Sequence, residues 1–193
     1  RVYPKMAETG SVLCATRPLE KLQWQRYGEH VIDQHIDRFG NRLIAGFWQE
    51  QGVFSFDFNH FMLRKYDPSG NLLWDISAKF QDMWNVADDY RTSYAIALAS
   101  DSLGNIYVCG SYASKGVVIA GQTFLNPLAE NKYHSQGFVL KLDPAGAVVW
   151  KIHLTQPAFE KRCIPTDLAW GKDGNLYIAL SAEGWRGVFA DNT

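Results

Sequence analysis

Little in this sequence points to a charged partner, a membrane span or a metal. Its 19 lysines and arginines stand against 20 aspartates and glutamates, for a net charge of −1. That leaves no basic excess of the kind that nucleic acids or anionic membrane surfaces attract. The longest apolar runs are strand-sized, well short of the roughly 20 residues that a spanning helix needs. Cysteine is scarce: Cys14, Cys109 and Cys163 are an odd number at unrelated spacings, which argues against a disulfide framework. Cys14 and Cys109 fall in predicted strands and read as small core residues. The five histidines, His30, His35, His60, His134 and His153, form no His-x-His pair and no helical i, i+4 pair, so a zinc or copper site has little support. There is no Gly-x-Ser-x-Gly elbow and no phosphate loop. The one adjacent carboxylate pair, Asp88-Asp89, lies in a connection. No catalytic residue, cofactor or metal ligand is therefore nominated, and the chain is expected not to be an enzyme.

What is present is a repeat. Gly137 to Trp150 reads GFVLKLDPAGAVVW, and the same arrangement of Asp-Pro, Gly and Trp stands at Phe61 to Trp74, FMLRKYDPSGNLLW. A worn third copy, Ser11 to Trp24, keeps Pro18 and Trp24 but has lost the Asp and the Gly. Apolar, β-branched runs on both sides of Asp-Pro-x-Gly predict a hairpin: Asp accepts from the backbone ahead, Pro presets φ, and Gly supplies a positive φ. A second hairpin precedes each copy, with Gly-Asn at its turn: Gly40-Asn41, Gly104-Asn105 and Gly174-Asn175. Two hairpins make four short strands, A to D, the content of one propeller blade. Asp67-x-Ser69-x-Asn71 offers oxygens at alternate positions, but a calcium loop needs six to eight oxygen ligands, and turn chemistry is the better reading.

Taken in order, the whole chain, residues 1–193, reads as one partial propeller domain. Residues 11–27 are a C–D half-blade, 29–78 a complete blade, 94–154 a second blade, and 166–180 an A–B half-blade. The predicted fold class is all-β, about two complete four-stranded antiparallel blades plus two half-blades. Lys79 to Ser93 is a longer connection with room for a turn of helix, and Ala113 to Ser135 is the main insertion. The chain is read as stopping at Thr193 before a last C–D half. Because it opens at Arg1 rather than Met, it is expected to be a processed form or an excerpt. Two chains could also exchange half-blades head to tail, or a partner could cover an open arc, since bare strand edges invite pairing.

The motifs Asp-x-x-Gly-Asn-x-Tyr-Val-x-Gly and Phe-Val-x-Lys-Leu-Asp-Pro-x-Gly-x-x-x-Trp resemble the SBBP family of bacterial β-propeller repeats. The second blade carries the resemblance best, at Asp101, Gly104, Asn105, Tyr107, Val108, Gly110, Phe138, Val139, Lys141, Leu142, Asp143, Gly146 and Trp150. The first blade departs at Leu43-Ile44. The resemblance implies a secreted, periplasmic or cell-surface protein and brings no catalytic residues with it.

Trp24, Trp74 and Trp150 recur at one place in the unit and are expected to pack within or between blades. Aromatics outside the shared motif, Trp48, Phe54, Phe56, Trp84, Tyr90, Tyr112, Tyr133 and Trp185, are candidates for an interface or a ligand platform, several of them more exposed than a minimal blade needs. The alternative is that they pack the insertions down onto the blades. The expected function is a non-enzymatic protein-interaction or structural module, a subunit or fragment of a larger extracytoplasmic assembly, whose partner is another protein or a second copy completing the propeller. The alternatives are a fragment of a quinoprotein-like enzyme, suggested by a loose likeness to quinone-dependent dehydrogenase repeats, and a lectin-like sugar binder using loop aromatics.

Overall fold

A computed structural model describes residues 28–50, 58–80, 92–126, 135–154, 163–182 and 189–191. The fold is all-β, with no helix among the described residues. The first unit is β1 (Glu29–Ile36), β2 (Arg42–Glu50), β3 (Phe58–Tyr66) and β4 (Leu72–Ser77), each strand antiparallel to the one before. Its expected C strand, Phe58 to Tyr66, is the observed one. A two-residue β5 (Lys79–Phe80) follows, then the second unit's β6 (Thr92–Ser100) and β7 (Ile106–Ala113). The insertion supplies β8 (Gly116–Ile119) and β9 (Gln122–Leu125), and β10 (Gln136–Leu142) and β11 (Val148–Leu154) complete the unit. The third unit has β12 (Cys163–Trp170) and β13 (Leu176–Ala182). Beyond the expected 166–180 hairpin, a three-residue β14 (Phe189–Asp191) pairs with β13 in the register that β10 takes on β7.

One turn serves both kinds of hairpin. At Asp37, Asp67, Asp101 and Asp143 the carbonyl accepts from a Gly N–H three residues on, at 2.9 to 3.1 Å, and that Gly has a φ of 80 to 91°. This is a three-residue loop closed by a left-handed glycine. The Asp carboxylate takes the remaining donors: at Asp67 one oxygen accepts from Asn71 N and the other from Asn71 Nδ2, both at 2.8 Å. The turn therefore consumes the carboxylate oxygens. The third unit has Gly171 in place of the Asp, and Asp173 takes over the bond to Asn175.

The units stack face against face. Leu43, Ala45, Phe61 and Leu63 of the first unit share a core with Ile106, Val108, Phe138, Leu140 and Leu142 of the second. The alternate residues of the second unit, Tyr107, Cys109 and Val139, share another core with Leu168, Leu176 and Ile178 of the third. Because side chains alternate along a strand, the second unit buries both faces, one on each neighbour. Along the backbone the units meet at single parallel pairings, Asn59 with Thr92 and Gln136 with Cys163, rather than along a ladder. Packing and side-chain bonds must therefore supply most of the cohesion. The result is one curled sheet, with β5, β8 and β9 as a separate three-stranded sheet beside it.

Each first strand carries a β-bulge at the equivalent place: between Val31 and Asp33, Ala95 and Ala97, and Pro165 and Asp167. The bulge turns a carbonyl onto the strand next door. A Cβ on Gly46 would lie 1.9 Å from the His30 oxygen, and one on Gly110 only 2.0 Å from the Tyr94 oxygen. The final Gly of the Tyr-Val-x-Gly motif is thus a matter of space. The bulge also links units, since Asp33 Oδ2 accepts from Leu98 N of the next unit at 2.8 Å.

The repeated tryptophan does what the sequence leads one to expect. Trp74 Nε1 donates to the Pro144 carbonyl of the second unit's turn at 3.3 Å, and Lys65 Nζ donates to the same oxygen at 3.1 Å. The ring of Trp74 lies 3.2 Å from where Gly146 would carry a Cβ. Lys65 also meets Asp37 at 3.2 Å with both side chains almost fully buried. The Asp-Pro-x-Gly turn of one unit thus seats on the Trp and Lys of the unit before it.

Candidate interaction surface

Strand direction sorts the connections. First and third strands run one way, second and fourth the other, so the Asp-x-x-Gly turns all lie at one end of the units. The ends of β2, β4, β7, β11 and β13, and the starts of β3, β6, β10 and β12, lie at the opposite end. The parallel meeting of Asn59 with Thr92 brings these ends of adjacent units together. Six of the eight candidate aromatics, Phe54, Phe56, Trp84, Tyr90, Tyr133 and Trp185, lie outside the described residues.

The two described candidates, Trp48 and Tyr112, occupy the same position of their units. Trp48, near the end of β2, pairs in register with His60 of β3, and the two rings stack at 4.0 Å and 8°. On the other face His30 stacks on Phe47 at 4.6 Å, and Phe47 meets Tyr94 edge-on at 4.9 Å. Asn59 Nδ2 donates to the Tyr94 hydroxyl at 2.9 Å. His30 is exposed and Trp48, Phe47 and Tyr94 are half-buried. This end of the first unit is a set of flat rings held by stacking, with little conformational entropy left to lose on contact. The histidines His30 and His60 came into the sequence argument only as metal ligands; Phe47, on which His30 stacks, and Tyr94, which meets Phe47, carried no pattern that would have singled them out.

Tyr112 takes the packing role, not the displayed one. It is fully buried in the core between units, and its hydroxyl is 2.6 Å from His153 Nε2. Phe124 of β9 lies near both rings, so the insertion closes over this position. Burial holds the His153 imidazole below its ordinary pKa, and Lys151 adds to the effect; burial pushes the Tyr112 phenol up. In register with Tyr112 stands Gln136, the counterpart of His60, wholly buried with neither amide atom hydrogen-bonded.

Elsewhere the titratable groups serve the scaffold. Burial raises the Asp33 pKa against the bonds from Leu98 and Gln34 that lower it. Arg64 forks onto both Glu29 oxygens at 2.8 and 3.0 Å and reaches Asp75 at 2.8 Å. Cys109 is fully buried in the core shared with the third unit, and that burial lifts its thiol to about 12; Cys14 lies outside the described residues. Among the described residues no three of His, Cys, Asp and Glu are grouped to hold a metal ion, and no helix is long and apolar enough to cross a membrane. In comparisons with known proteins, the chain matches no family model and no curated protein.

Proposed function

We propose that the chain is a structural and protein-binding module: a run of SBBP-like β-propeller blades, each a four-stranded antiparallel unit, working outside the cytoplasm within a larger assembly. The observation that carries this reading is the face left over at the third unit. Leu43 and Ala45 are fully buried against the second unit, and Tyr107 and Cys109 are buried against the third. The corresponding Tyr177 is 41% exposed and Ala179 is exposed as well. A repeat that buries this face twice and then bares it calls for another unit upon it, as quasi-one-dimensional arrays do. The ring cluster around Trp48, at the end where the variable connections leave, is the binding surface, since rigid scaffolds carry their recognition in such places. The partner is a protein, and the extracytoplasmic setting follows the family resemblance.

Light scattering of the native particle, with intact mass of the chain, tests this. The expected particle is larger than the 21.8 kDa of one chain. A monodisperse monomer, stable at high concentration, would refute the reading. For the binding surface, Trp48→Ala should weaken partner association at least tenfold in a variant whose circular dichroism shows that it remains folded.

A further inference from the structure

We infer that Ser100 is a nucleophile with His35 as its general base, and that the pair takes the acyl or phosphonyl group of small activated electrophiles onto the Ser100 hydroxyl oxygen. This activity goes beyond the assembly reading and stands or falls apart from it.

His35, near the end of β1, and Ser100, the last residue of β6, stand 65 residues apart in sequence and on adjacent units, yet His35 Nε2 lies 2.8 Å from Ser100 Oγ. That is the reach across which an imidazole takes the proton of an attacking hydroxyl. Register puts both side chains at the seam between the units: His35 pairs with Leu43 and Ser100 with Ile106, and both partners lie in the core that the first two units share. Asp33, two residues before His35 and on the same face of β1, is close enough for the two charges to interact, so an imidazolium formed at His35 has a carboxylate near it. His35 and Ser100 are half-buried, which leaves the pair within reach of solvent.

The second seam shows what joining two units requires. There the counterparts of Asp33 and His35 are Ala97 and Ala99, that of Ser100 is Trp170, and all three pack in or against the apolar core shared with the third unit. Cohesion therefore asks for no carboxylate, imidazole or hydroxyl at these places. The first seam departs from the repeat at three positions at once, and what it gains are the groups that nucleophilic transfer uses. A search for Gly-x-Ser-x-Gly passes over them because two units make the pair. With an aryl ester, the Ser100 oxygen bonds to the carbonyl carbon as its proton passes to His35 Nε2; the bond to the aryl oxygen breaks, the phenolate leaves with the electron pair, and His35 releases the proton to water. A water molecule then attacks the acyl carbon and passes one proton to His35, which returns it to the Ser100 oxygen as the acid departs. With a fluorophosphonate the P–F bond breaks instead, fluoride leaves, and the phosphonyl group stays on Ser100.

The test treats the full chain with a short-chain alkyl fluorophosphonate and follows its intact mass. A single phosphonyl group should be added, and peptide mapping should place it on Ser100 and not on the exposed Ser102. Ser100→Ala should take none. His35→Gln can keep a hydrogen bond to the hydroxyl but cannot accept its proton, and should slow the labelling roughly a hundredfold or more, with circular dichroism unchanged. p-Nitrophenyl acetate should be hydrolysed by the wild-type chain, with a loss of similar size in His35→Gln. Unfolding the wild-type chain in urea should abolish the labelling, a control that needs no variant. No adduct at Ser100 with millimolar reagent overturns the inference. So does labelling that survives urea, that falls equally on Ser102, or that His35→Gln leaves unchanged, since the hydrogen bond would then only tie two units together.

Discussion

Gly110→Ala puts the bulge argument at risk. The new methyl would lie 2.0 Å from the Tyr94 carbonyl oxygen and 2.6 Å from the Phe138 ring, in a buried site. An ordinary contact is well over a further ångström away, and the obstructing atom is backbone in a bulge whose next residues are held by the Asp33 bond to Leu98 N. Overpacking of a core costs about 1–3 kcal/mol, and a clash with fixed backbone belongs at the top of that range. For a chain of this size, about 3 kcal/mol lowers the unfolding midpoint by roughly 6–12 °C. The comparison is Gly70→Ala, where nothing lies within 4 Å but φ is +90°. That change should cost only the left-handed backbone term, about 1–2 kcal/mol. Urea titration of both variants, with the m-value unchanged, gives the two numbers side by side. If Gly110→Ala melts within a degree of the wild type, or costs no more than Gly70→Ala, crowding is not the reason for the glycine.

Further outcomes follow from other sites. Gln136→Met should raise stability by about 1–2 kcal/mol in urea titration, because it removes a buried amide whose two polar atoms have no partner; a loss of stability would mean that the amide is satisfied in solution. Lys65→Ala strands the buried Asp37 carboxylate and should cost about 3 kcal/mol by the same titration. His153 resists protonation in the folded protein while the unfolded chain accepts a proton from pH 6.5 downward, so its contribution is complete above pH 6.5 and declines as pH falls. Thermal melts of His153→Gln should flatten the profile between pH 7 and 5. The turn aspartates act lower down. At Asp101 burial opposes ionisation, but the Asn105 bonds outweigh it and hold the carboxyl below 3.8; with Asp37, Asp67 and Asp173 likewise lowered, a second loss should begin as pH falls below about 4. Ala120 has a φ of 49° beside Gly121 at 75°, so Ala120→Asn should gain up to about 1 kcal/mol in urea titration, by supplying the residue such two-residue hairpins prefer.

The strands were legible where a glycine turn and a period of two agreed. Phe58–Tyr66 and Gln136–Leu142 stand within the expected bounds because Asp-Pro-x-Gly fixes the turn that follows each. The tryptophan's role was legible because it recurs with the turn that it meets. The insertion was not: β8 and β9 stand outside the repeat frame, although Val117-Val118-Ile119 and Thr123-Phe124-Leu125 around Ala120-Gly121 carried a hairpin signal of their own. Of the two roles open to Tyr112 in the sequence, packing under the insertion is the one its burial fits, since the ring that closes over it, Phe124, comes from that hairpin. The bulges could not be read at all. They shift which face a strand's residues serve, so that Ala95 and Leu98 join one core and Ala97 and Ala99 the other, but in an unbroken apolar run nothing marks the shift; Leu180, where the other units have Gly46 and Gly110, shows that even their steric mark is not kept in every copy. The ring cluster depends on pairings between neighbouring strands, which no local spacing reveals.

The seating of each turn on the tryptophan of the unit before it has a consequence for polarity. The junction is made of unlike halves: a donor pair on one unit and a carbonyl with a glycine on the other. Such an array has a head and a tail. Two tails brought together offer four donors and no acceptor, and two heads the reverse, so misoriented joining leaves buried polar groups unpaired and is rejected on energy alone. An array extended by such like-to-unlike contacts would grow in one direction and end only by closing on itself or by meeting a unit that lacks one half of the junction.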